Sequence, residues 1–252
     1  MWRFLRTRLE QGTHTALLAD EPQSLPQRYR GRPVLDPERS QPDCPGCIFP
    51  DLGDCLFSPE ELEECGHGAL AYTRDYRMAV GSRAALAPPL GELELARALG
   101  EQMRRRFGRS LRLRSVAAGS CNGCEAELVA LGNVVFDLAR FGVQFVASPR
   151  HADGLVVTGA VSRNMLEPLY RTYEAIPEPK LVIAVGACAL GGGPFQGSPE
   201  VTNGVPRDIP VDLCVPGCPP HPLTIADGIL RLLGRLPGQV GLDPDSPLTI
   251  DN

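Results

Sequence analysis

Lysine is almost missing from this chain. Lys180 is the only one in 252 residues, so arginine carries nearly all of the positive charge. Long apolar runs are missing too. The stretch from Leu128 to Ala147 comes nearest, but Asp137, Arg140 and Gln144 interrupt it, which excludes a membrane-spanning helix there. Residues Met1 to Glu10 alternate arginine with apolar residues and lack the uninterrupted apolar region of a secretory signal. No internal repeat is visible. A net charge of −5 argues against a nucleic-acid coat or a polybasic membrane binder. These absences predict a cytoplasmic protein with no nucleic-acid partner.

What is present is a globular composition, 43% apolar and 22% charged, which excludes disorder throughout and a coiled coil. Gly 27 and Pro 25 make the chain rich in loops. Nine cysteines in a reducing compartment are metal or cluster ligands, or buried thiols, and not a disulfide framework.

The pattern changes near residues 88–115. Residues 1–87 are rich in Pro, Arg and Gly and show little periodicity, and Pro22 to Pro42 reads as extended chain. Glu92 to Phe107 has helical spacing, with Leu93, Ala96, Leu99 and Met103 on one face. The arginines that follow (Arg104, Arg105, Arg106, Arg109, Arg112 and Arg114) read as a solvated helix end or as a docking surface for an acidic partner.

From Ser110, short apolar runs alternate with helical patterns. The predicted strands are Leu111–Ala117, Val143–Ala147, Gly154–Gly159, Lys180–Val185 and Val211–Val215. The predicted helices are Glu125–Phe141, Asn164–Ala175 and Pro222–Leu233. Such alternation implies βαβ units and an α/β fold with a parallel sheet covered on both faces. Ligands of these sheets sit beyond the carboxyl ends of the strands.

Four cysteines fall in that position. Cys121 and Cys124 follow the first strand, Cys188 the fourth and Cys218 the last. Three loops at one sheet edge can bring four thiolates together. Nearby glycines let backbone approach a bulky anionic centre, and Pro219 and Pro220 stiffen the last ligand. Four cysteines suit a [4Fe–4S] cluster or a structural zinc. One Cys-x-x-Cys joined by two distant single cysteines favours the cluster.

Residues 110–235 resemble the small subunit of energy-converting [NiFe] hydrogenases of the formate hydrogenlyase type, and the related cluster-bearing subunit of respiratory complex I. The carrying motifs are Cys121-Asn-Gly-Cys124-Glu-Ala-Glu127, Val185-Gly-Ala-Cys188, Gly191-Gly-Gly193 and Val215-Pro-Gly-Cys218-Pro-Pro220. The resemblance implies a flavodoxin-like sheet with a [4Fe–4S] cluster on Cys121, Cys124, Cys188 and Cys218. It also implies a hydrogenase or complex I-like large subunit as partner, with ferredoxin-like and membrane subunits beyond it. The protein would then sit peripherally on the inner face of the cytoplasmic membrane. Cys-x-x-Cys is the hydrogenase spacing, whereas the complex I branch has adjacent cysteines.

Glu127 stands where this superfamily carries a glutamate. It reads either as a proton relay beside the electron path or, like Glu125, as an acid in the first turn of a helix. Cys214 reads as a small buried hydrophobe. His221 reads as a helix-entry residue, or as one that touches a partner or a quinone.

The first 87 residues resemble a degenerate ferredoxin module. Cys55 and Cys65 keep the first and last places of one cluster run, with Ser58 and Glu61 between them. Cys44 and Cys47 keep two places of the other, where Gln41 and Asp51 fill the rest, and Tyr29-Arg-Gly-Arg-Pro33 adds to the likeness. The ferredoxin pairing rule assigns Cys44, Cys47 and Cys65 to one cluster and leaves Cys55 alone. Three readings stand for these cysteines: one surviving cluster, a zinc site, or a metal-free docking remnant.

The expected organisation is a degenerate ferredoxin-like docking module over 1–87 and a linker helix over 88–109. A cluster-binding α/β domain over 110–236 and a tail over 237–252 follow. The expected function is that of an oxidoreductase subunit relaying electrons to a catalytic centre on a partner. The hydrogenase reading stands ahead of a nickel-free, quinone- or antiporter-linked one and of a non-redox assembly scaffold.

Overall fold

The computed structural model describes residues 2–12, 15–16, 25, 29–35, 70–86 and 95–236. Cys44, Cys47, Cys55 and Cys65, and the tail from residue 237, lie outside them.

In chain order the elements are α1 (Trp2–Gln11), β1 (Pro33–Leu35), β2 (Leu70–Tyr72), α2 (Glu101–Phe107), β3 (Leu111–Ala117), α3 (Gly123–Ala130), β4 (Val143–Phe145), β5 (Gly154–Thr158), α4 (Arg163–Ala175), β6 (Leu181–Val185), α5 (Ala187–Gly191), β7 (Leu213–Val215) and α6 (Pro222–Leu232). Short 3-10 turns lie between them.

Five strands form a wholly parallel sheet in the order β4-β3-β5-β6-β7. Counted within the sheet, this is the doubly wound order 2-1-3-4-5 of flavodoxin-like folds. The pleat divides each apolar run between two faces. Leu181, Ile183 and Val185 join Leu213 and Val215 against Leu128 of α3 and Leu223, Ile225 and Ile229 of α6. Val182 and Ala184 join Leu155, Val157 and Cys214 against Leu169 of α4 on the other face. Both faces are therefore covered, as the near-continuous apolar runs require.

Two predicted helices are shorter than their sequence spacing. Over Glu92–Phe107, the described helix is only α2, from Glu101. Leu95 pairs with Val80 in an isolated bridge, Ala96 N–H donates to the Ala79 carbonyl at 2.8 Å, and Leu99 N–H donates to the Leu232 carbonyl at 2.9 Å. These tertiary bonds replace the local ones a longer helix needs. Over Glu125–Phe141, α3 stops at Ala130. Asn133 Oδ1 accepts from Val135 N–H at 2.8 Å and Phe136 N–H at 3.0 Å, and this side-chain turn competes with the helix. Leu128, Leu131 and Leu138 still face the core, while Val135 does not stay buried with them.

Packing does not break at residue 87. Met78, Val80 and Leu86 belong to one core layer, and Tyr76 and Ala79 to the other. Val80 and Cys214 exchange both backbone bonds, at 3.0 and 2.8 Å, so this segment covers the free edge of β7. Gly228 of α6 admits it, because a Cβ there would stand 2.5 Å from the Ala79 Cβ. Upstream, β1 and β2 pair antiparallel, with Leu35 opposite Leu70. The cysteine-bearing segment 36–69 thus leaves and returns at paired residues.

Candidate metal centre

The carboxyl ends of the parallel strands carry the predicted ligands. Chain leaving β3 passes Gly119 and Ser120 to Cys121, and left-handed Asn122 (φ 70°) then turns into α3, with Cys124 in its first turn. Cys188 lies in α5, directly after β6, and Cys218 follows β7. Backbone bonds tie the last two loops together: Gly186 N–H donates to the Val215 carbonyl at 2.8 Å and Ala187 N–H to the Gly217 carbonyl at 2.9 Å.

The four sulfurs are electrostatic neighbours. Burial pushes the Cys124 thiol up to about 12, with Glu125 and the thiols of Cys188, Cys218 and Cys121 adding to the rise. A thiol held this far from ionisation becomes a thiolate at neutral pH only when a cation coordinates it. Cys124 and Cys188 are buried, Cys218 is half-buried and Cys121 is exposed, so the site opens to the surface at Cys121.

Glycine cradles the sulfurs. At Gly193 a Cβ would stand 3.1 Å from the Cys188 sulfur, and at Gly186 it would overlap the Cys124 sulfur. Gly123 lies between Cys121 and Pro219, whose atoms would be 3.5 and 3.6 Å from a Cβ. Gly186 has φ 90° and Gly217 φ 134°, conformations that favour glycine. Among the described residues, no three or more His, Cys, Asp or Glu groups are gathered so as to hold a single metal ion. Four cysteine thiols with glycine backbone close to their sulfurs are a donor set that fits an iron–sulfur group.

The two glutamates of the motif have different surroundings. Glu125 is the one tied to the sheet: its Oε1 accepts from Ser120 Oγ at 2.7 Å and from Thr158 Oγ1 at the end of β5. Its Oε2 is buried without a hydrogen-bond partner. No sequence signal marks this tie, since Thr158 is 33 positions away. Glu127 is half-buried, and burial raises its carboxyl above the ordinary value of 4.5.

Glu127 also lines a cavity of about 340 Å³ beside Cys218, with Tyr29, Tyr72, Met78, Pro220 and His221. His221 caps α6, its Nδ1 accepting from Leu223 N–H at 3.2 Å, and its ring meets Tyr29 and Phe136 edge-on at 5.5 and 5.7 Å. The Tyr29 hydroxyl lies 3.4 Å from Thr224 Oγ1. Part of this cavity comes from the segment before residue 87, and only the Tyr29 motif hints at it. Cys214 is fully buried in β7, and burial pushes its thiol up to about 12.

The family model described as the 20 Kd subunit of NADH ubiquinone oxidoreductase matches residues 121–232. A probable membrane-bound hydrogenase subunit of Pyrococcus furiosus is 48% identical over 130 residues, 52% of this chain and 78% of that protein. Formate hydrogenlyase subunit 7 of Escherichia coli is 43% identical over 132 residues, 52% of each chain. An NADH-quinone oxidoreductase subunit of Heliobacterium modesticaldum is 47% identical over 122 residues, 47% of this chain and 70% of that one. This chain belongs to the family of the 20 Kd subunit of NADH ubiquinone oxidoreductase. Of the formate hydrogenlyase subunit it spans about half the length.

Proposed function

We propose that this chain is the electron-transfer subunit of a membrane-associated [NiFe] hydrogenase complex, an oxidoreductase subunit whose catalytic centre lies on a partner. The observation that carries this reading is the arrangement of Cys121, Cys124, Cys188 and Cys218 on three strand-end loops with glycines against their sulfurs. Likeness to hydrogenase subunits over the same residues supports it.

Cys121, Cys124, Cys188 and Cys218 would hold one [4Fe–4S] cluster, which supplies one-electron transfer when bound. The buried cysteines exclude water from its inner side, and exposed Cys121 leaves an edge for the large subunit to cover. Glu127 would hold and release a proton at its carboxyl oxygens on the wall of the cavity, where burial already favours the protonated form. Ferredoxin-like and membrane subunits are the expected neighbours on the donor side. Among the described residues no helix is long and apolar enough to cross a membrane. Membrane attachment through partners is the proposed arrangement. The inner face of the cytoplasmic membrane is the proposed location.

A second reading keeps the cluster and replaces hydrogen with a quinone or another acceptor. The 47% identity to an NADH-quinone oxidoreductase subunit favours it.

The deciding experiment is metal analysis of the intact complex purified without oxygen, with an assay of hydrogen-dependent dye reduction. Stoichiometric nickel with activity establishes the hydrogenase reading, and iron without nickel or hydrogen activity moves it to the second. Cys188→Ala or Cys218→Ala in a subunit that still docks should lose cluster and activity together. Full activity without a cluster would leave only the scaffold. Iron and zinc content of a Cys44→Ala, Cys47→Ala variant, compared with wild type, decides whether Cys44, Cys47 and Cys65, with Cys55 or another group, hold a further cluster, a zinc or no metal.

A further inference from the structure

The ten-residue helix α1 (Trp2-Arg-Phe-Leu-Arg-Thr-Arg-Leu-Glu-Gln11) has no buried side chain among the described residues. Every described side chain on it is exposed, Trp2 at 85%, Leu9 at 83%, Phe4 at 73% and Leu5 at 47%. A helix this short is marginal in water without a surface to pack on. Trp2, Leu5 and Leu9, spaced three and four apart, fall on one stripe, while Phe4, four before Arg8, falls on the arginine-bearing side. The charge is mainly positive: Arg3, Arg6 and Arg8 stand against a single acid, Glu10, which meets Arg6 at 2.7 Å, in a chain whose net charge is −5.

We propose that α1 lies on a lipid surface carrying anionic headgroups, with Trp2, Leu5 and Leu9 in the interface and Arg3 and Arg6 at headgroup level. Trp and Leu together with arginine is the composition of helices that lie in a membrane surface. Charge complementarity selects anionic headgroups, because α1 carries three arginines against one acid in a chain that is acidic overall. The contact is directed by a short tether. Gly12 ends the helix in the left-handed region (φ 63°). Ala16 N–H then donates to the Val135 carbonyl at 2.7 Å, and Thr15 Oγ1 to the Val134 carbonyl at 3.1 Å. Exposed Val134 and Val129 lie beside that anchor, so binding would turn this flank of the sheet domain toward the bilayer. The inference is independent of the redox reading.

Trp2 is the only tryptophan, so intrinsic tryptophan fluorescence of the full chain reports on α1 alone. The experiment adds vesicles of phosphatidylcholine alone, or mixed with phosphatidylglycerol, to the anaerobic protein. It follows Trp2 emission and co-sedimentation. The expected result is a blue shift and co-sedimentation with the anionic vesicles only, weakened by added salt. Arg3→Gln with Arg6→Gln should reduce partitioning about thirtyfold, which corresponds to about 1 kcal/mol for each arginine, and leave the visible absorption of the protein unchanged. Emission unchanged by either vesicle, or equal binding to both, overturns the proposal. So does a Trp2 emission that is already blue-shifted in the full chain before lipid is added and insensitive to it, which would put α1 against protein.

Discussion

Gly186 and Cys124 are fitted to each other: the backbone of the β6 loop passes so close to the Cys124 sulfur that a Cβ on Gly186 would occupy the same space. Gly186 also holds φ 90°. Gly186→Ala therefore meets a clash and backbone strain together, the latter about 1–3 kcal/mol. Iron per chain in the anaerobically purified protein should fall well below wild type. Full iron loading would show that this approach is unimportant to the site.

The cysteines divide by position. Cys188→Ala removes a proposed ligand and should abolish the cluster absorption. Cys214→Ala, within the β7 strand, should keep full iron and lose about 1 kcal/mol of stability from the small cavity. Equal iron loss in both variants would refute the division.

The glutamates should part in the same way. Glu125→Ala removes the carboxylate acceptor of the Ser120 hydroxyl and leaves Thr158 Oγ1 with the Val116 carbonyl at 3.4 Å, at about 1–3 kcal/mol. Glu127→Gln should change stability by less than about 0.5 kcal/mol, and its effect should appear in the pH profile of turnover. Thermal melts of both variants, with turnover measured across the neutral range, test the pair.

Asp227 and Arg231 form a buried ion pair at 2.8 Å on α6. Asp227→Ala removes this partner of the buried guanidinium and should cost about 3–5 kcal/mol, whereas replacing both by apolar residues of similar volume should be neutral or stabilising. Denaturant unfolding of the single and double variants measures this, and a double variant worse than Asp227→Ala contradicts it.

His221 gives the protein a pH dependence. Burial lowers its pKa below the ordinary 6.5, so at pH values just under 6.5 the unfolded chain binds a proton that the folded chain does not. Stability from this group is complete above pH 6.5 and is lost as pH falls through the folded value. Protonation also removes the Nδ1 acceptor that caps α6. His221→Asn keeps a capping acceptor and cannot titrate, so wild type should lose stability relative to it in acid. A difference that does not vary with pH would contradict this assignment.

Strand after strand was legible because Leu181–Val185 and its neighbours are apolar on both faces, and only a doubly covered parallel sheet buries such runs. The placing of the four cysteines in strand-end loops was legible for the same reason, since strand ends locate loops. The helices over Glu92–Phe107 and Glu125–Phe141 were overestimated, because periodicity records which residues are apolar and not where their backbone bonds go. Leu99 bonds to Leu232, and Asn133 turns the chain, and neither competitor leaves a mark on the spacing.

Local pattern and strand geometry were enough to specify the parallel α/β sheet, the four cysteines of its loops and their order. Other features arose only when the layers packed. Residues 76–80 were drawn into the core as the cover for the β7 edge, Glu125 was tied to Thr158, and Tyr29, Tyr72 and His221 were assembled around one cavity. Each of these is a contact between residues far apart in the chain, set by how folded layers meet, and no local pattern encodes it.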